Sequence, residues 1–266
     1  MNNHWLELKG KVVIVTGGAS GIGKHVANTL MAAEASTVIV DLNVATGDTL
    51  DGAYCVQCNV CDPDSVKTMV QTVLDRFGHV DALVNNAGIN LPRLLVDVKG
   101  ERPEFELNVD SFDKMFNVNV KGLFLCAQAV AREMVRQRRG VILNMSSESG
   151  KEGSQGQSAY SATKGACDSF TRSWAKELGQ YNIRVVACAP GIMEATGLRT
   201  PAYNEALAYT RGVRPEDLST DYNKVVPLGR DGKLDEVGNL AAFLISDRAS
   251  YITGTTYNIS GGKSRG

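Results

Sequence analysis

The sequence has almost no net charge and no long apolar run. Its 266 residues hold 28 lysines and arginines against 29 aspartates and glutamates, a formal net charge of −1 at pH 7. A nucleic acid or an anionic membrane surface is therefore not an expected partner, because either would need a basic face. No apolar run approaches the ~20 residues of a membrane-spanning helix, and residues 1–5 lack the basic-then-apolar pattern of a signal peptide. We expect a soluble, cytoplasmic protein.

Histidine is scarce, and no metal site is expected. The three histidines are scattered along the chain: His4, His25 and His79. Three of the six cysteines form Cys55-x-x-Cys58-x-x-Cys61, a pattern typical of zinc or iron–sulfur ligands, but no fourth ligand follows at the expected spacing. This segment also lies where a strand is expected, so we interpret its cysteines as ordinary buried or half-buried thiols.

Strand-like and helix-like segments alternate along the chain. Runs of apolar residues predict seven strands, at residues 12–15, 37–40, around 55–61, 80–84, 141–145, 183–187 and 255–259. Apolar residues at helical spacing predict helices at residues 22–33, 66–77, 111–138, 158–178 and 234–246. No long polar linker divides the chain. The pattern predicts a single α/β domain, a doubly wound (Rossmann) parallel seven-stranded sheet with helices on both faces.

A glycine-rich turn follows the first predicted strand. Gly17, Gly21 and Gly23 have the spacing Gly-x-x-x-Gly-x-Gly, and helical periodicity begins at Ile22. Glycines let the backbone approach a pyrophosphate, and the helix N-terminus offers free N–H groups and the positive end of its dipole. Glycines also make tight turns without a ligand, but between a strand and a helix they favour a nucleotide site that includes Ser20.

An acidic residue ends the second predicted strand. Asp41 follows the glycine turn by about 20 residues, where an acid can hydrogen-bond the hydroxyls of an adenosine ribose and repel a 2′-phosphate. Neither the adjacent Leu42 nor Ser20 supplies a positive charge to hold that phosphate. We therefore expect NAD rather than NADP, the alternative being a surface acid that caps a turn.

A tyrosine and a lysine stand four residues apart in Tyr160-Ser161-Ala162-Thr163-Lys164. On a helix, residues at i and i+4 share one face. A fixed positive charge beside a tyrosine favours the phenolate form, so the pair is typical of a general acid/base. Alone, this pattern is common on solvated helices. The glycine-rich turn and Asp41, which indicate a nucleotide site, make the acid/base interpretation stronger.

Several polar or glycine-containing segments follow directly after predicted strands. Gly17, Asn86, Ser147 and Pro190 each lie just past a strand end. Ligands of open α/β sheets bind beyond the carboxyl ends of the strands. We therefore expect these four residues to converge on one crevice.

Together, these motifs resemble the short-chain dehydrogenase/reductase family over nearly the whole chain. The matching residues are Thr16-Gly17-x-x-x-Gly21-x-Gly23, Asn85-Asn86-Ala87-Gly88, Asn119, Ser147, Tyr160-x-x-x-Lys164 and Pro190-Gly191. The resemblance implies a catalytic set of Asn119, Ser147, Tyr160 and Lys164, with Asn119 holding a water that links Lys164 to solvent. It implies that NAD is bound by Gly17, Ser20, Gly21, Ile22, Gly23, Asp41, Leu42, Asn59, Val60, Asn86, Ala87, Gly88, Tyr160, Lys164, Pro190, Gly191 and Ile192. It also implies a homo-oligomer, with a tetramer favoured.

The sequence departs from the family pattern at two positions. Asn59-Val60 stands where the family usually has Asp-Val near the adenine, although an asparagine carbonyl can still accept from the adenine amino group. The family often has a threonine five residues after the proline of Pro190-Gly191; this chain has Ala195 there and Thr196 one position later. The contact to the nicotinamide amide is the feature that this second departure affects.

Segments outside the shared motifs resemble a narrower group, the sorbitol-6-phosphate 2-dehydrogenases. They are residues 92–97, 147–150, 152–154, 197–201 and 261–266. This resemblance implies NAD-dependent interconversion of D-sorbitol 6-phosphate and D-fructose 6-phosphate by hydride transfer at C2. A sugar phosphate needs cationic partners, and the candidates are Arg93, Lys151, Arg199, Lys263 and Arg265. Glu148 and Glu152 would either bind sugar hydroxyls or be solvated loop acids.

The stretch at residues 190–227 is long for a connection, and we expect it to form an ordered substrate lid with short helices. Three other functions stay open at this point: a dehydrogenase of an unphosphorylated polyol or other secondary alcohol, an NADPH-dependent carbonyl reductase, and a non-catalytic dinucleotide sensor. A fold does not choose between substrates, because function depends on the site.

Overall fold

A mostly parallel sheet with helices on both faces organises residues 3–218 and 222–264, the part of the chain that the computed structural model describes. The strands are β1 (Val12–Thr16), β2 (Ser36–Asp41), β3 (Thr49–Leu50), β4 (Ala53–Gln57), β5 (Ala82–Asn85), β6 (Gly140–Met145), β7 (Ile183–Pro190) and β8 (Thr256–Ile259). The α-helices are α1 (Gly21–Ala32), α2 (Pro63–Phe77), α3 (Val109–Phe116), α4 (Leu123–Gln137), α5 (Ser149–Glu152), α6 (Ser158–Leu178), α7 (Pro201–Arg211), α8 (Tyr222–Val225) and α9 (Leu234–Ile245).

The strands lie in the order β3-β4-β2-β1-β5-β6-β7-β8, and every neighbouring pair except β3 and β4 is parallel. The predicted doubly wound sheet with helices on both faces is confirmed. The predicted strand number was seven, and the described chain has eight.

The additional strand, β3, is two residues long and pairs antiparallel with β4 at the sheet edge. Such a short strand shows no alternating pattern in the sequence. The turn between the strands did carry a signal, since Asp51 and Gly52 both have positive φ, 53° and 98°. An Asp-Gly pair in this conformation is strongly favoured in two-residue hairpins.

Side chains of the central strand alternate between two cores. Val13 and Val15 of β1 pack with the core that holds α1 and α9. Val12 and Ile14 pack with the core that holds α2 and α4. Burial on both faces explains why this strand reads as one continuous apolar run in the sequence.

The long helix predicted at residues 111–138 has a different internal structure. It begins at Val109, ends at Gln137, and contains the π-helical segment Asn117–Gly122 between α3 and α4. π-helical turns inside α-helices are frequent at functional sites. Within the described residues, no helix has both the length and the apolar character needed to cross a membrane.

Candidate active site

The glycine turn after β1 is tightly folded against the neighbouring strand ends. The backbone N–H of Gly17 donates to Val40 O at 2.7 Å, and Gly17 and Gly21 have φ of 63° and 53°. A Cβ on Gly23 would stand 2.2 Å from Gly17 O. Ser20 precedes α1 in extended conformation, is exposed, and makes no side-chain capping bond. The start of α1 therefore keeps N–H groups available for an anion.

Asn86 joins the ends of β1 and β5. Its side-chain amide donates to Thr16 O at 3.0 Å and to Gly17 O at 3.1 Å. The backbone N–H groups of Asn86 and Ala87 both donate to Thr16 Oγ1, at 3.0 and 3.1 Å. A Cβ on Gly17 would lie 3.0 Å from Ala87 Cα. These contacts hold the glycine turn beside the Asn85-Asn86-Ala87-Gly88 segment, as the sequence predicted.

Asp41 at the end of β2 is linked to the glycine turn. Its Oδ2 accepts from the backbone N–H of Ala19 at 3.2 Å, and its Oδ1 accepts from that of Asn43 at 3.1 Å. The adjacent Leu42 is 59% exposed. An exposed apolar side chain beside a carboxylate provides a surface on which an adenosine can lie.

The Asn59-Val60 segment after β4 is held locally. The side-chain carbonyl oxygen of Asn59 accepts from the backbone N–H of Cys61 at 3.1 Å, and the residue is exposed. Val60 packs on the π segment, where a Cβ on Gly122 would stand 2.8 Å from Val60 Cγ2. One lone pair of the Asn59 carbonyl is therefore already used by the chain itself.

Asn119 lies in the π segment and is 2% exposed. Its side chain pairs with the backbone of Ile89, donating to Ile89 O and accepting from Ile89 N–H, both at 2.8 Å. The same amide donates to Thr163 Oγ1 at 3.1 Å. Asn119 thus fixes the segment after β5 against the helix that carries Tyr160 and Lys164.

Lys164 is buried beside Tyr160 on α6. It is 7% exposed, and its Nζ donates to Met145 O at the end of β6, at 2.6 Å. The Nζ lies 5.6 Å from the centroid of the Tyr160 ring, and Tyr160 itself is half-buried. The charge of Lys164 therefore has a fixed position next to the phenol.

Ser147 lies just after the end of β6 and contacts Ser149 in the same loop. Its Oγ accepts from the backbone N–H of Ser149 at 3.3 Å and lies 3.0 Å from Ser149 Oγ. The loop packs on α6, where a Cβ on Gly150 would meet Lys164 C at 2.8 Å. Because Ser147 Oγ accepts these bonds, its own hydrogen stays available to donate.

The Pro190-Gly191 segment and the chain end meet next to Ser147. Glu148 N–H donates to Pro190 O at 3.1 Å, and a Cβ on Gly191 would stand 2.7 Å from Glu148 Oε2. Lys263 Nζ donates to Glu148 Oε1 at 2.5 Å, and Ser264 Oγ donates to Oε2 at 2.6 Å. Both carboxylate oxygens of Glu148 are thus bonded to the chain's own C-terminal segment. Arg265 lies outside the described residues.

The residues after Gly191 bend back over the glycine turn. Ile192 is half-buried, and its carbonyl accepts from Gly232 N–H at 3.0 Å. Ala195 is exposed, whereas Thr196 lies against the glycine turn, its Cβ 3.6 Å from a Cβ placed on Gly21. The threonine that is one position late in the sequence therefore reaches the crevice.

Arg93 is half-buried. Its Nη1 donates to Pro92 O at 2.7 Å, its guanidinium lies 5.6 Å from the centroid of the Phe105 ring, and its buried Nε has no partner among the described residues. Burial lowers the pKa of Arg93, and Glu104 opposes that shift. Of the other predicted substrate residues outside the tail, Glu152, Arg199 and Lys151 are exposed, and Glu148 is half-buried.

Three residues that the sequence motifs did not single out meet beside α6. Tyr203 OH accepts from Asn90 Nδ2 at 3.2 Å and from Gln157 Nε2 at 3.0 Å. Gln157 precedes Tyr160 by only three positions, and this short spacing is the one signal that the sequence offered for it. Nothing local marks Asn90 or Tyr203, because 113 positions separate them along the chain.

Helix α7, which carries Tyr203, is anchored to the loop after β5. Tyr209 OH donates to Asp97 Oδ1 at 2.7 Å, and Arg102 Nη2 donates to Glu205 Oε1 at 2.9 Å. Among the described residues, no group of three or more histidine, cysteine or acidic side chains is arranged to hold a metal ion.

Comparison with known proteins identifies the family. The sequence profile of the short chain dehydrogenases matches residues 11–206. The chain belongs to the short-chain dehydrogenase family. It is 53% identical to the sorbitol-6-phosphate 2-dehydrogenase of Klebsiella pneumoniae over 99% of this chain and 100% of that protein.

Other short-chain dehydrogenases are similar over comparable lengths. The 3-oxoacyl-(acyl-carrier-protein) reductase of Thermotoga maritima is 40% identical, covering 97% of this chain and 99% of its own. The crystal structure of the 3-ketoacyl-(acyl-carrier-protein) reductase from Brucella melitensis, complexed with NADH, superimposes with a TM-score of 0.80 at 31% identity, covering 97% and 100% of the two chains. Membership in this family of oxidoreductases is thus shown, while several substrates occur among similar proteins.

Proposed function

We propose that this protein is an NAD-dependent dehydrogenase that interconverts D-sorbitol 6-phosphate and D-fructose 6-phosphate by hydride transfer at C2. The observation that carries the proposal is the 53% identity to a sorbitol-6-phosphate 2-dehydrogenase along the full length of both chains. The site adds a buried lysine beside a half-buried tyrosine at the carboxyl ends of the strands, which supports proton transfer at a substrate hydroxyl.

The crevice fits a dinucleotide. At Gly23 a Cβ would overlap Gly17 O at 2.2 Å, so the turn is closed to side chains and presents its backbone. The start of α1 would hold the pyrophosphate, with Ser20 and Thr196 beside it, and Asp41 would bind the adenosine ribose. The Asp41 carboxylate supports NAD over NADP because it would repel a 2′-phosphate.

The chain's own residues would move one proton while the bound nicotinamide serves as hydride acceptor. Tyr160, as phenolate stabilised by the ammonium of Lys164, would take the proton of the C2 hydroxyl. Ser147 would donate a hydrogen bond to the same oxygen and stabilise its developing charge. The π turn at Asn119 would leave a backbone carbonyl free to hold a water, which would pass the proton from Lys164 to solvent.

The stretch at residues 190–227 is proposed to act as a lid. Helix α7 would close one side of the crevice, since Tyr209 and Glu205 tie it to Asp97 and Arg102. Arg93 and Arg199 remain the proposed phosphate partners. We also propose a soluble, cytoplasmic homo-oligomer, with a tetramer favoured by the family, and no nucleic acid or membrane partner.

Reduction of an acyl-chain ketone is the second candidate, because a 3-oxoacyl reductase is 40% identical over nearly the whole chain. The polar residues Asn90, Gln157 and Tyr203 beside α6 oppose an apolar substrate. Dehydrogenation of an unphosphorylated polyol is the alternative closest in chemistry.

The test is the rate of NADH formation, read by absorbance, with D-sorbitol 6-phosphate, D-sorbitol and a 3-hydroxyacyl thioester in parallel. The proposal expects rapid turnover of the sugar phosphate, and a much lower rate when NADP replaces NAD. Equal or faster turnover of free sorbitol would remove the phosphate from the proposal. Turnover of the thioester alone would replace it with the second candidate.

A further inference from the structure

Three polar side chains from distant segments meet one helical turn from Tyr160. Asn90 comes from the segment after β5, Gln157 from the residue before α6, and Tyr203 from α7. Gln157 is the N-cap residue of α6 and precedes Tyr160 by three positions. The amide nitrogen of Gln157 is 3.0 Å from Tyr203 OH, and Tyr203 is near enough to Tyr160 for the two phenols to interact electrostatically.

The hydrogen bonds of this cluster are incomplete. A tyrosine hydroxyl can accept hydrogen bonds and donates one. Tyr203 OH accepts from Asn90 and Gln157, and its own hydrogen has no acceptor in the described part of the chain. Asn90 Oδ1 is buried and lacks a partner there as well. Unmatched buried polar atoms are uncommon in folded proteins, and a ligand, an ion or a water is the usual partner that completes them.

The imbalance does not depend on how the Asn90 amide is oriented. If the amide were turned over, its oxygen would accept the Tyr203 hydrogen, and its nitrogen would then be left with hydrogens to donate. Gln157 does not supply the missing acceptor, because its Nε2 bonds Tyr203 OH while its Oε1 bonds Ser154 Oγ at 2.7 Å. In either orientation, at least one donor or acceptor of the cluster has no hydrogen-bond partner among the described residues.

Charged side chains influence the Tyr203 hydroxyl. Burial raises the pKa of Tyr203, and the nearby Tyr160 phenol raises it further, while Arg199 and Arg211 act in the opposite direction. The two arginines therefore bring positive charge close to the same hydroxyl. Gln157 is 8% exposed, so bonds formed here would be partly shielded from water.

We propose that Tyr203 is a specificity-determining residue whose hydroxyl, oriented by Asn90 and Gln157, hydrogen-bonds one hydroxyl of a polyhydroxy substrate. This inference rests on the proposed function and adds the residue that recognises the sugar chain. Sites built to pair with a substrate hydroxyl discriminate strongly against analogues that lack it, because their buried polar groups are then left unpaired.

The experiment compares Tyr203→Phe with Tyr209→Phe, a matched loss of one hydroxyl on the same helix. Tyr209 OH bonds Asp97 and so anchors α7 without joining the cluster. Values of kcat/KM for NADH-dependent reduction are measured with D-fructose 6-phosphate and with its 1-deoxy, 3-deoxy and 4-deoxy analogues. NADH affinity, by fluorescence titration, verifies that each variant is folded.

For the wild-type enzyme, the proposal predicts that kcat/KM is about tenfold lower with one of the deoxy analogues than with D-fructose 6-phosphate. With D-fructose 6-phosphate, Tyr203→Phe should have a kcat/KM about tenfold below that of the wild-type enzyme. With the sensitive analogue, which lacks the hydroxyl that Tyr203 would bind, the variant and the wild-type enzyme should have the same kcat/KM. Tyr209→Phe lowers kcat/KM for all four substrates by one common factor. If Tyr203→Phe does not fold, Asn90→Ala, which removes one amide partner of the hydroxyl, is measured against the same analogues and must single out the same one.

Equal losses of Tyr203→Phe with every substrate would assign Tyr203 to packing of α7 and overturn the proposal. A wild-type enzyme that reduces none of the four compounds, while binding NADH, would overturn the proposed function and this inference with it. The two failures are distinguishable because only the second affects the wild-type rate.

Discussion

Two side chains on one turn of α6 carry most of the proposed chemistry. Lys164 is held by Met145 O at 2.6 Å, and its ammonium lies 5.6 Å from the ring centroid of Tyr160. The lysine has a fixed position, whereas the tyrosine is half-buried and accessible to substrate. In the proposed mechanism the phenolic oxygen takes the substrate proton, whereas the pyrophosphate and the adenosine ribose would be held by other residues.

Replacing Tyr160 with phenylalanine should lower kcat by about 10²- to 10⁴-fold, the range lost with a general acid/base. NADH affinity, from fluorescence titration, should stay at the wild-type value. Tyr54→Phe is the control, because Tyr54 packs against Phe77 on the sheet edge. If Tyr160→Phe kept most of the wild-type kcat, Tyr160 would not be the general acid/base.

Asp41 should determine the choice of dinucleotide. Asp41→Ala removes a charge that repels a 2′-phosphate, so we expect the ratio of kcat/KM for NAD to that for NADP to fall by about tenfold or more. The matched control is Asp48→Ala, an exposed acid between β2 and β3. An unchanged ratio would show that another feature discriminates between the two dinucleotides.

The residues that sequence motifs locate are those with local spacing. Tyr160 and Lys164 are four positions apart and Gly17 to Gly23 form one turn, so their geometry follows from the helix and turn that contain them. Tyr203 meets Gln157 only through the packing of α7, 46 positions away. Such contacts depend on tertiary structure, which local patterns do not encode.

At the scale of elements, the glycine turn and the start of α1 act as one unit. A Cβ on Gly23 would lie 2.2 Å from Gly17 O and 2.5 Å from Asn86 Nδ2. Contacts this short cannot be relieved by a side-chain rotation, because one of them is to backbone. The turn would have to move away from the segment after β5.

Gly23→Ala should therefore lower the free energy of unfolding by about 1–3 kcal/mol, the usual cost of overpacking. NADH affinity should fall as well, because the backbone N–H groups proposed to hold the pyrophosphate would shift. Gly179→Ala is the control, since no atom lies within 4 Å of its Cβ position. Denaturant unfolding measures the free energy of unfolding, and fluorescence titration measures the NADH affinity. If Gly23→Ala and Gly179→Ala had the same stability and the same affinity, this geometry would be contradicted.

Two elements show why element boundaries were harder to predict than element types. The helix predicted at residues 111–138 runs from Val109 to Gln137, and its π segment at Asn117–Gly122 contains Asn119, whose side chain bonds Ile89 in a different part of the chain. The edge strand β3 is too short for periodicity and depends on the Asp51-Gly52 turn. Long, regular segments such as α6 were predicted to the residue.

At the scale of the whole molecule, the doubly wound sheet follows from the alternation of strands and helices and the right-handed connections that such alternation favours. Burial on both faces of the sheet also encloses most of the thiols. Cys126, Cys167 and Cys188 are buried, and burial raises the pKa of Cys167 and Cys188 to about 12.

These thiols should be unreactive in the native protein. At pH 8 a disulfide reagent should label at most Cys61, which is half-buried, and all six cysteines after unfolding. Cys167 and Cys188 keep their protons when folded, so their contribution to stability is present below the ordinary pKa of 9.0 and is lost as pH rises towards about 12. Labelling of several native thiols would contradict the enclosed core.

The most direct test of the central claim follows the hydrogen at C2. The enzyme is incubated with NAD and D-sorbitol 6-phosphate that carries deuterium at C2, and the isotope is located by mass spectrometry. We predict deuterated NADH, D-fructose 6-phosphate without the label, and a slower rate than with unlabelled substrate. Unlabelled NADH, or no product from this sugar phosphate while NAD binds normally, would contradict hydride transfer from C2.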